Sequence, residues 1–412
     1  MNFLVRMAPA LRVISFWALC FFWVALTFSK AFIEISFTTA LIAWIGWKIG
    51  SRSMNSLAIP KSLAIPFLVY TLIIIASAFW SDFPKESFRG VFKVLENMML
   101  FVLVAEIFQS REDMRKYEKI FLGWFAFVVL NGFWQYFAGK DLLRGFPVLI
   151  SHSGKRVTAS FGSYGQFASF LICSIPFLAA AGFSLKALRE RKPLAVLACL
   201  TFAGAIVLLF LTRSRGAIIA FVFGVILFLV IRRKIWFLIL LAAVLAGGYF
   251  LLPRNMILHQ DRTFKEQSLL ERHYLWDRAL SVIQARPWTG TGINTYIVAY
   301  SKYDRNGNWR VRNYYVHNGY LQMAAETGLP SLLLFLWFLG QYFWLSFKQS
   351  NRLQLQDERP RVTGLLVGIM SFLIFAFSDT VLHNVQPAMT LWFLLGLQWA
   401  YQRAFNPIAN RP

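Results

Sequence analysis

The chain has 412 residues, of which 58% are hydrophobic and 17% aromatic, and it carries a formal net charge of +23. That composition excludes an ordinary soluble domain and points to an all-α polytopic membrane protein, because lipid cannot satisfy free backbone groups and helices close their own hydrogen bonds. The positive charge does not call for nucleic acid as a partner, since most of it lies in short loops where membrane topology explains it.

A membrane crossing needs roughly 17–25 apolar residues. About twelve segments qualify, the eighth of them short: 11–29, 31–48, 62–80, 90–108, 119–137, 166–184, 194–212, 216–231, 235–252, 329–347, 362–381 and 388–404. The first lacks a small-residue cleavage site, Phe28-Ser29-Lys30 being a poor one, so it reads as an uncleaved span. Cys20, Cys173 and Cys199 all fall inside spans and give neither a disulfide framework nor metal spacing. Basic residues mark alternate short loops: Lys48, Arg52 and Lys61; Arg111, Arg115, Lys116 and Lys119; Lys186, Arg189, Arg191 and Lys192; Arg232, Arg233 and Lys234; Lys348, Arg352, Arg359 and Arg361. The positive-inside rule puts these, and both termini, in the cytoplasm. Loops 138–165, 213–215, 253–328 and 382–387 then face outward. The chain divides into spans 1–9 over residues 1–252, a loop over 253–328, and spans 10–12 over 329–412. The long loop holds ten Lys and Arg against six acids, which does not contradict the assignment because long loops translocate largely regardless of charge.

Trp80-Ser81-Asp82 and Lys85-Glu86-Ser87 read as a span end and a helix cap, and Lys93 and Glu96, three apart, read as a pair. Lys155 and Arg156, with Ser160-Phe161-Gly162, precede the sixth span on the outward side, as anion ligands or as residues snorkelling to headgroups. Thr212-Arg213-Ser214-Arg215-Gly216 puts two arginines at an outward boundary. The free N–H groups of the helix beginning at Gly216 add to an anion site, and Arg binds phosphate bidentately; snorkelling is again the alternative.

In the long loop, Ser268 and Glu271 form a capping box for a helix running to about Ala285, where Arg286-Pro287 ends it. Leu275, Ala279, Val282 and Ile283 share one stripe, so this helix lies along the membrane or packs on the bundle, with Arg272 and Trp276 neighbours on a second face. Gly290-Thr291-Gly292 is a turn, too short for a nucleotide loop. His317 and Asn318 precede a short helix, Leu321–Glu326, that stops at Thr327-Gly328-Leu329-Pro330. The positive end of that helix disfavours an imidazolium at His317, and a neutral imidazole can act as a general base. The bland alternative is a histidine that only hydrogen-bonds at a helix start. Asn318 and Glu326 are secondary candidates; Asp379, His383 and Asn384 read as interface residues, and His259 and His273 as exposed loop. There is no Walker sequence, HExxH, paired-Asp motif or GxSxG elbow. Chemistry here is expected to need no metal and no cofactor, and to suit a substrate that already carries a good leaving group.

These residues resemble the O-antigen ligase and polymerase superfamily. Residues 212–216 are similar to one landmark; Glu271-Arg272, Leu275-Trp276, Ala279-Leu280, Ile283, Pro287 and Gly290-Thr291-Gly292 to its large periplasmic loop; His317-Asn318, Leu321 and Glu326-Thr327-Gly328-Leu329-Pro330 to its histidine motif. The resemblance covers about residues 150–400 and is strongest from 205 to 335. It implies a bacterial inner-membrane glycosyltransferase acting at the periplasmic face. The implied donor is a glycan on undecaprenyl pyrophosphate, and the acceptor is lipid A-core for a ligase or another lipid-linked repeat unit for a polymerase. Arg213, Arg215, Arg272 and Arg156 would hold the pyrophosphate, and His317 would take the acceptor's proton. Leu329 stands where a Thr often precedes the Pro in ligases, so the histidine motif departs from their commonest ending. A transporter would instead show repeats and broken midplane helices, and a non-catalytic assembly partner would tolerate loss of His317.

Overall fold

The computed structural model describes residues 2–53, 58–151, 154–182, 192–231, 233, 236, 262–303, 314–350 and 359–405. The chain is an all-α polytopic membrane protein with one small β-hairpin. Its elements run α1 (Asn2–Ala25), α2 (Lys30–Gly50), α3 (Lys61–Phe79), α4 (Pro84–Ile107), α5 (Arg111–Ala138), β1 (Leu149–Ser151), β2 (Gly154–Arg156), α6 (Tyr164–Gly182), α7 (Lys192–Leu211) and α8 (Arg215–Ile231). They continue with α9 (Arg262–Ala285), α10 (Tyr296–Ala299), α11 (Gly319–Ser350), α12 (Arg359–Phe375) and α13 (Val385–Phe405). Every expected span but the ninth falls on one of these helices. The ninth, 235–252, lies outside the described residues.

Among the described residues, seven helices are long and apolar enough to cross a membrane: α1, α2, α3, α5, α6, α7 and α11. Helix α13 fails that test because it carries Gln386, Gln398, Gln402 and Tyr401, yet all four are buried. Part of this polarity is paired inside the bundle, with Gln386 Nε2 donating to the Leu26 carbonyl at 2.7 Å and Gln402 Nε2 to the Ser346 carbonyl at 2.6 Å. A spanning helix surrounded by protein can afford such residues; one facing lipid cannot.

Helix α12 is held by close backbone approach. A Cβ on Gly364 would lie 2.6 Å from the Pro176 carbonyl oxygen of α6, and one on Gly368 would meet the carbonyl of Cys173. On its other side Gly224 and Gly216 of α8 face Ser371 and Ser378. Small residues let membrane helices approach in this way, and here they fix the position of Ser378 and Asp379 just beyond α12.

The ends of the bundle differ. One is tied by ion pairs: Lys48–Glu106 at 2.7 Å, almost fully buried, with Arg12–Asp113 at 2.5 Å and Arg361–Glu118 at 2.7 Å. The other carries the connections. There Asp141 accepts from the amides of Leu143 and Arg144 at 2.9 Å each, and the Gln135 side-chain oxygen accepts from those of Thr158 and Ala159 at 2.8 Å each. These bonds pin the segment between α5 and α6, including the β1–β2 hairpin.

The expected helix in the long connection exists, but it begins at Arg262, so Ser268 and Glu271 lie inside it and are not its cap. The stripe of Leu275, Ala279, Val282 and Ile283 is buried. All but Leu275 belong to a small core with Tyr296, Tyr300, Val316, Ala324 and Ala325. Lys93 and Glu96 do not pair; Glu96 faces Glu34 of α2.

Helix α11 merges the expected short helix with the tenth span, and it is broken at Gly328 (φ 81°, ψ 166°). The break frees two carbonyls. Pro330 has no N–H, and the Leu329 amide turns to the Pro287 carbonyl at 2.8 Å. The amides of Thr291 and Gly292 take their place on Ala325 and Glu326, at 3.1 and 2.7 Å. Gly290 (φ 63°) and Gly292 (φ 105°) leave no room for a side chain against Glu326–Thr327 and against Ser81 and Ser87, respectively. The loop is thereby laid across α11 and the α3–α4 turn. There Asp82 binds Arg286 at 3.0 Å and Lys302 at 3.2 Å. The expected span end at Trp80-Ser81-Asp82 is thus also the loop's anchor.

Candidate active site at the loop end of the bundle

His317 stands immediately before α11. Asn318 caps that helix: its side-chain oxygen accepts from the amides of Tyr320 at 3.0 Å and Leu321 at 3.1 Å. The Gly319 amide donates to the Ala376 carbonyl at 2.7 Å, and the Tyr320 hydroxyl to the Leu373 carbonyl at 2.8 Å. These bonds hold the residue before them over the end of α12. His317 has φ 53°, a left-handed conformation uncommon for a residue with a side chain. Such backbone persists where its surroundings over-determine it, often at functional sites. Its Nδ1 lies 3.8 Å from Asp379 Oδ1, and both side chains remain partly exposed.

Asp379 presses on the first turn of α6. A Cβ on Gly165 would lie 2.5 Å from Asp379 Oδ2. One residue earlier, the Arg156 guanidinium stacks 4.6 Å from the Tyr164 ring centre, and its buried Nε has no hydrogen-bond partner among the described residues. Arg213, also left-handed at φ 55°, donates from Nε to the Lys155 carbonyl at 3.2 Å. Arg215 opens α8, and the backbone of Gly216 lies against Ser378, next to Asp379. A continuous set of contacts therefore joins Arg213, Lys155, Arg156, Tyr164, Gly165, Asp379 and His317. It brings together three of the expected residues, Arg156, Arg213 and His317, from distant parts of the sequence, with Arg215 beside Gly216 at the neighbouring helix start. Cations outnumber acids in this set, so it suits an anion.

Arg272 is placed differently. It lies half-buried on α9 and makes no hydrogen bond or ion pair among the described residues. Among the described residues, no hydrogen bond, ion pair or ring contact joins it to the His317 set. Glu326 is buried, and both its oxygens serve the loop's main chain: the Asn294 amide at 2.8 Å and the Tyr296 amide at 3.1 Å, with Gln322 Nε2 at 3.3 Å. His383 Nδ1 is 3.7 Å from it. Tyr315 packs its ring 4.9 Å from that of His383; burial, and then the charge of Glu326, push its hydroxyl above the ordinary phenol value.

Asp379 and Tyr164 are what the sequence reading underrated. The signal for Asp379 was present, an acid at the end of a span. Nothing local distinguishes Tyr164.

Residues 200–336 match the family model described as O-antigen ligase, a stretch that contains Arg213, Arg215, Arg272, His317 and Glu326. That stretch is similar to an O-antigen ligase domain. The domain's match covers nearly the same residues as the stretch where the resemblance was strongest, and it leaves Arg156 and Asp379 outside. Two relatives extend the similarity over most of the chain. The exopolysaccharide production protein ExoQ of Rhizobium meliloti (strain 1021) is 24% identical over 83% of this chain and 83% of its own. The teichuronic acid biosynthesis protein TuaE of Bacillus subtilis (strain 168) is 22% identical over 79% of this chain and 69% of its own.

Proposed function

We propose that this protein is a glycosyltransferase of polysaccharide biosynthesis, working at the periplasmic face of a bacterial inner membrane. It moves a glycan from undecaprenyl pyrophosphate to a sugar hydroxyl. The observation that carries the reading is the run of contacts from Arg213 through Lys155, Arg156, Tyr164 and Gly165 to the His317–Asp379 pair, with Arg215 opening α8 one residue before the glycine that lies against Ser378. His317 accepts the proton of the acceptor hydroxyl as its oxygen bonds the anomeric carbon. The bond from that carbon to the pyrophosphate breaks, and the departing lipid pyrophosphate gains negative charge that the arginines receive. The proton remains on the imidazole, where the Asp379 carboxylate balances it, as the buried carboxylate does in a serine-protease triad.

The test measures donor binding and transfer side by side on purified His317→Ala. Transfer is expected to fall at least a hundredfold with donor binding retained, because the arginines remain. Lost binding with residual turnover would make His317 a donor contact and leave the proton without its acceptor. Whether the acceptor is lipid A-core or another lipid-linked repeat divides ligase from polymerase. The family model is described for ligases, whereas the relatives' names speak of exopolysaccharide production and teichuronic acid biosynthesis, which favours the polymerase as a second reading. A deletion strain separates them: unligated long glycan marks a ligase, and single-repeat glycan a polymerase.

A further inference from the structure

Behind His317, between α3, α4, α11 and α13, lies a cavity of about 70 Å³. Ile293 and Asn294 of the loop, Gly319, Leu382 and His383 belong to its lining, so it shares with the His317–Asp379 pair the wall made by residues just after each. Its apolar surfaces are Tyr70, Phe335 and Trp392, and its polar ones include Lys93, Asn97, Gln322 and Glu326. Lys93 is exposed and makes no ion pair among the described residues. Asn97 and Gln322 are buried, and the side-chain oxygen of each lacks a hydrogen-bond partner among the described residues. The orientation of Gln322 is not arbitrary. Its nitrogen donates to Glu326 Oε1 at 3.3 Å, which fixes its oxygen as the unmatched atom.

Buried polar atoms without partners are uncommon, and each asks for an explanation. The unmatched Gln322 oxygen needs a ligand that donates, and the Asn97 amide, which no bond among the described residues orients, can meet a donor or an acceptor. A pyrophosphate has no donor to offer, and Glu326 would repel it. A sugar ring offers hydroxyl donors along its edge and an apolar face for aromatic rings. A cavity this size takes a few groups as large as water, about 30 Å³ each in the liquid, and so an edge of a hexose and not the whole ring. We infer that the cavity beneath the loop seats the hydroxyl edge of the acceptor's sugar ring, with Asn97 and Gln322 bonding its hydroxyls. This rests on the proposed glycosyl transfer, whose reacting hydroxyl it would hold beside His317.

The experiment uses the purified full chain in a detergent without a sugar headgroup. Methyl glycosides of glucose, galactose and N-acetylglucosamine are the probes, their binding read by saturation-transfer difference NMR, with inorganic pyrophosphate as a second probe. At least one glycoside is expected to bind. Asn97→Leu and Gln322→Met should each weaken it about tenfold, the worth of one hydrogen bond, and leave pyrophosphate binding unchanged. Asn97→Leu should also unfold no earlier than the parent, since it replaces an unmatched polar group with an apolar one of similar shape. A merely structural Asn97 would lose stability and glycoside binding together. Glycoside binding that survives both variants, pyrophosphate binding lost along with it, or no glycoside bound at all would overturn the inference. Failure of the transfer proposal is seen separately, as absent turnover in a parent protein that still binds glycoside through Asn97 and Gln322.

Discussion

Asp379 lies hard against the first turn of α6. Gly165 has no space for a methyl group beside its carboxylate, so Gly165→Ala is expected to displace Asp379 and loosen His317 without touching an arginine. Transfer should fall while donor binding persists; equal rates in the variant and the parent would detach Asp379 from the chemistry. Arg215 and Arg272 make a second test. Arg215 sits at the start of α8 beside the Ser378–Asp379 corner, and Arg272 is a half-buried cation without a hydrogen bond or ion pair among the described residues, a group that gains from an anion. Arg215→Ala and Arg272→Ala are each expected to cost about a hundredfold in rate, with Lys restoring only part because it binds phosphate at one point. Near-normal transfer by both variants would leave them as lipid-headgroup residues. The sequence pointed to His317 as a candidate because a histidine before a capped helix is a local pattern. It did not reveal the weight of Asp379, because 62 residues separate it from His317 and only the bonds from Gly319 and Tyr320 to the end of α12 bring the two together.

At the scale of elements, the loop is anchored by charge at one end and by main chain at the other. Asp82 is held below the ordinary carboxylate value first by the hydrogen bond from Lys302 and then, against partial desolvation, by Arg286. A carboxyl whose folded value is lowered stabilises above its unfolded value of 3.8 and loses that contribution as pH falls through the folded one. Asp82→Asn is therefore expected to speed protease cleavage of the loop at neutral pH, and the parent to show the same loosening only below about pH 4. Cleavage unchanged by the substitution would show that the main-chain contacts suffice. The stripe on α9 was readable from its 3.6-residue period, whereas its start was not: Ser268 and Glu271 make a good cap on paper, and the helix passes through them.

For the whole molecule, the apolar segments gave the order of the described helices, because that signal is local and repeated, and the alternation of basic loops gives their expected direction. Helix α13 was legible as a span but not as the polar-cored centre of the bundle, since its glutamines find their partners only in the folded state. Orientation is open to direct test in a background with Cys20, Cys173 and Cys199 replaced. Trp288 and Glu112 have side chains 76% exposed. An impermeant thiol reagent should label Trp288→Cys in intact cells and Glu112→Cys only after permeabilisation. The reverse pattern would turn the site to the cytoplasm and end the periplasmic reading.

The break at Gly328 has a consequence for how the loop exchanges with solvent. The amides of Thr291, Gly292 and Leu329 sit in or beside an irregular connection, yet each is bonded across to another element. They should take up deuterium at the pace of the α11 helix and far more slowly than the flanking turn residues, because opening one means lifting the loop from the bundle. Slow, concerted exchange of these three would mean that the roof over the proposed catalytic end does not flap open independently, and that substrates reach it from the side.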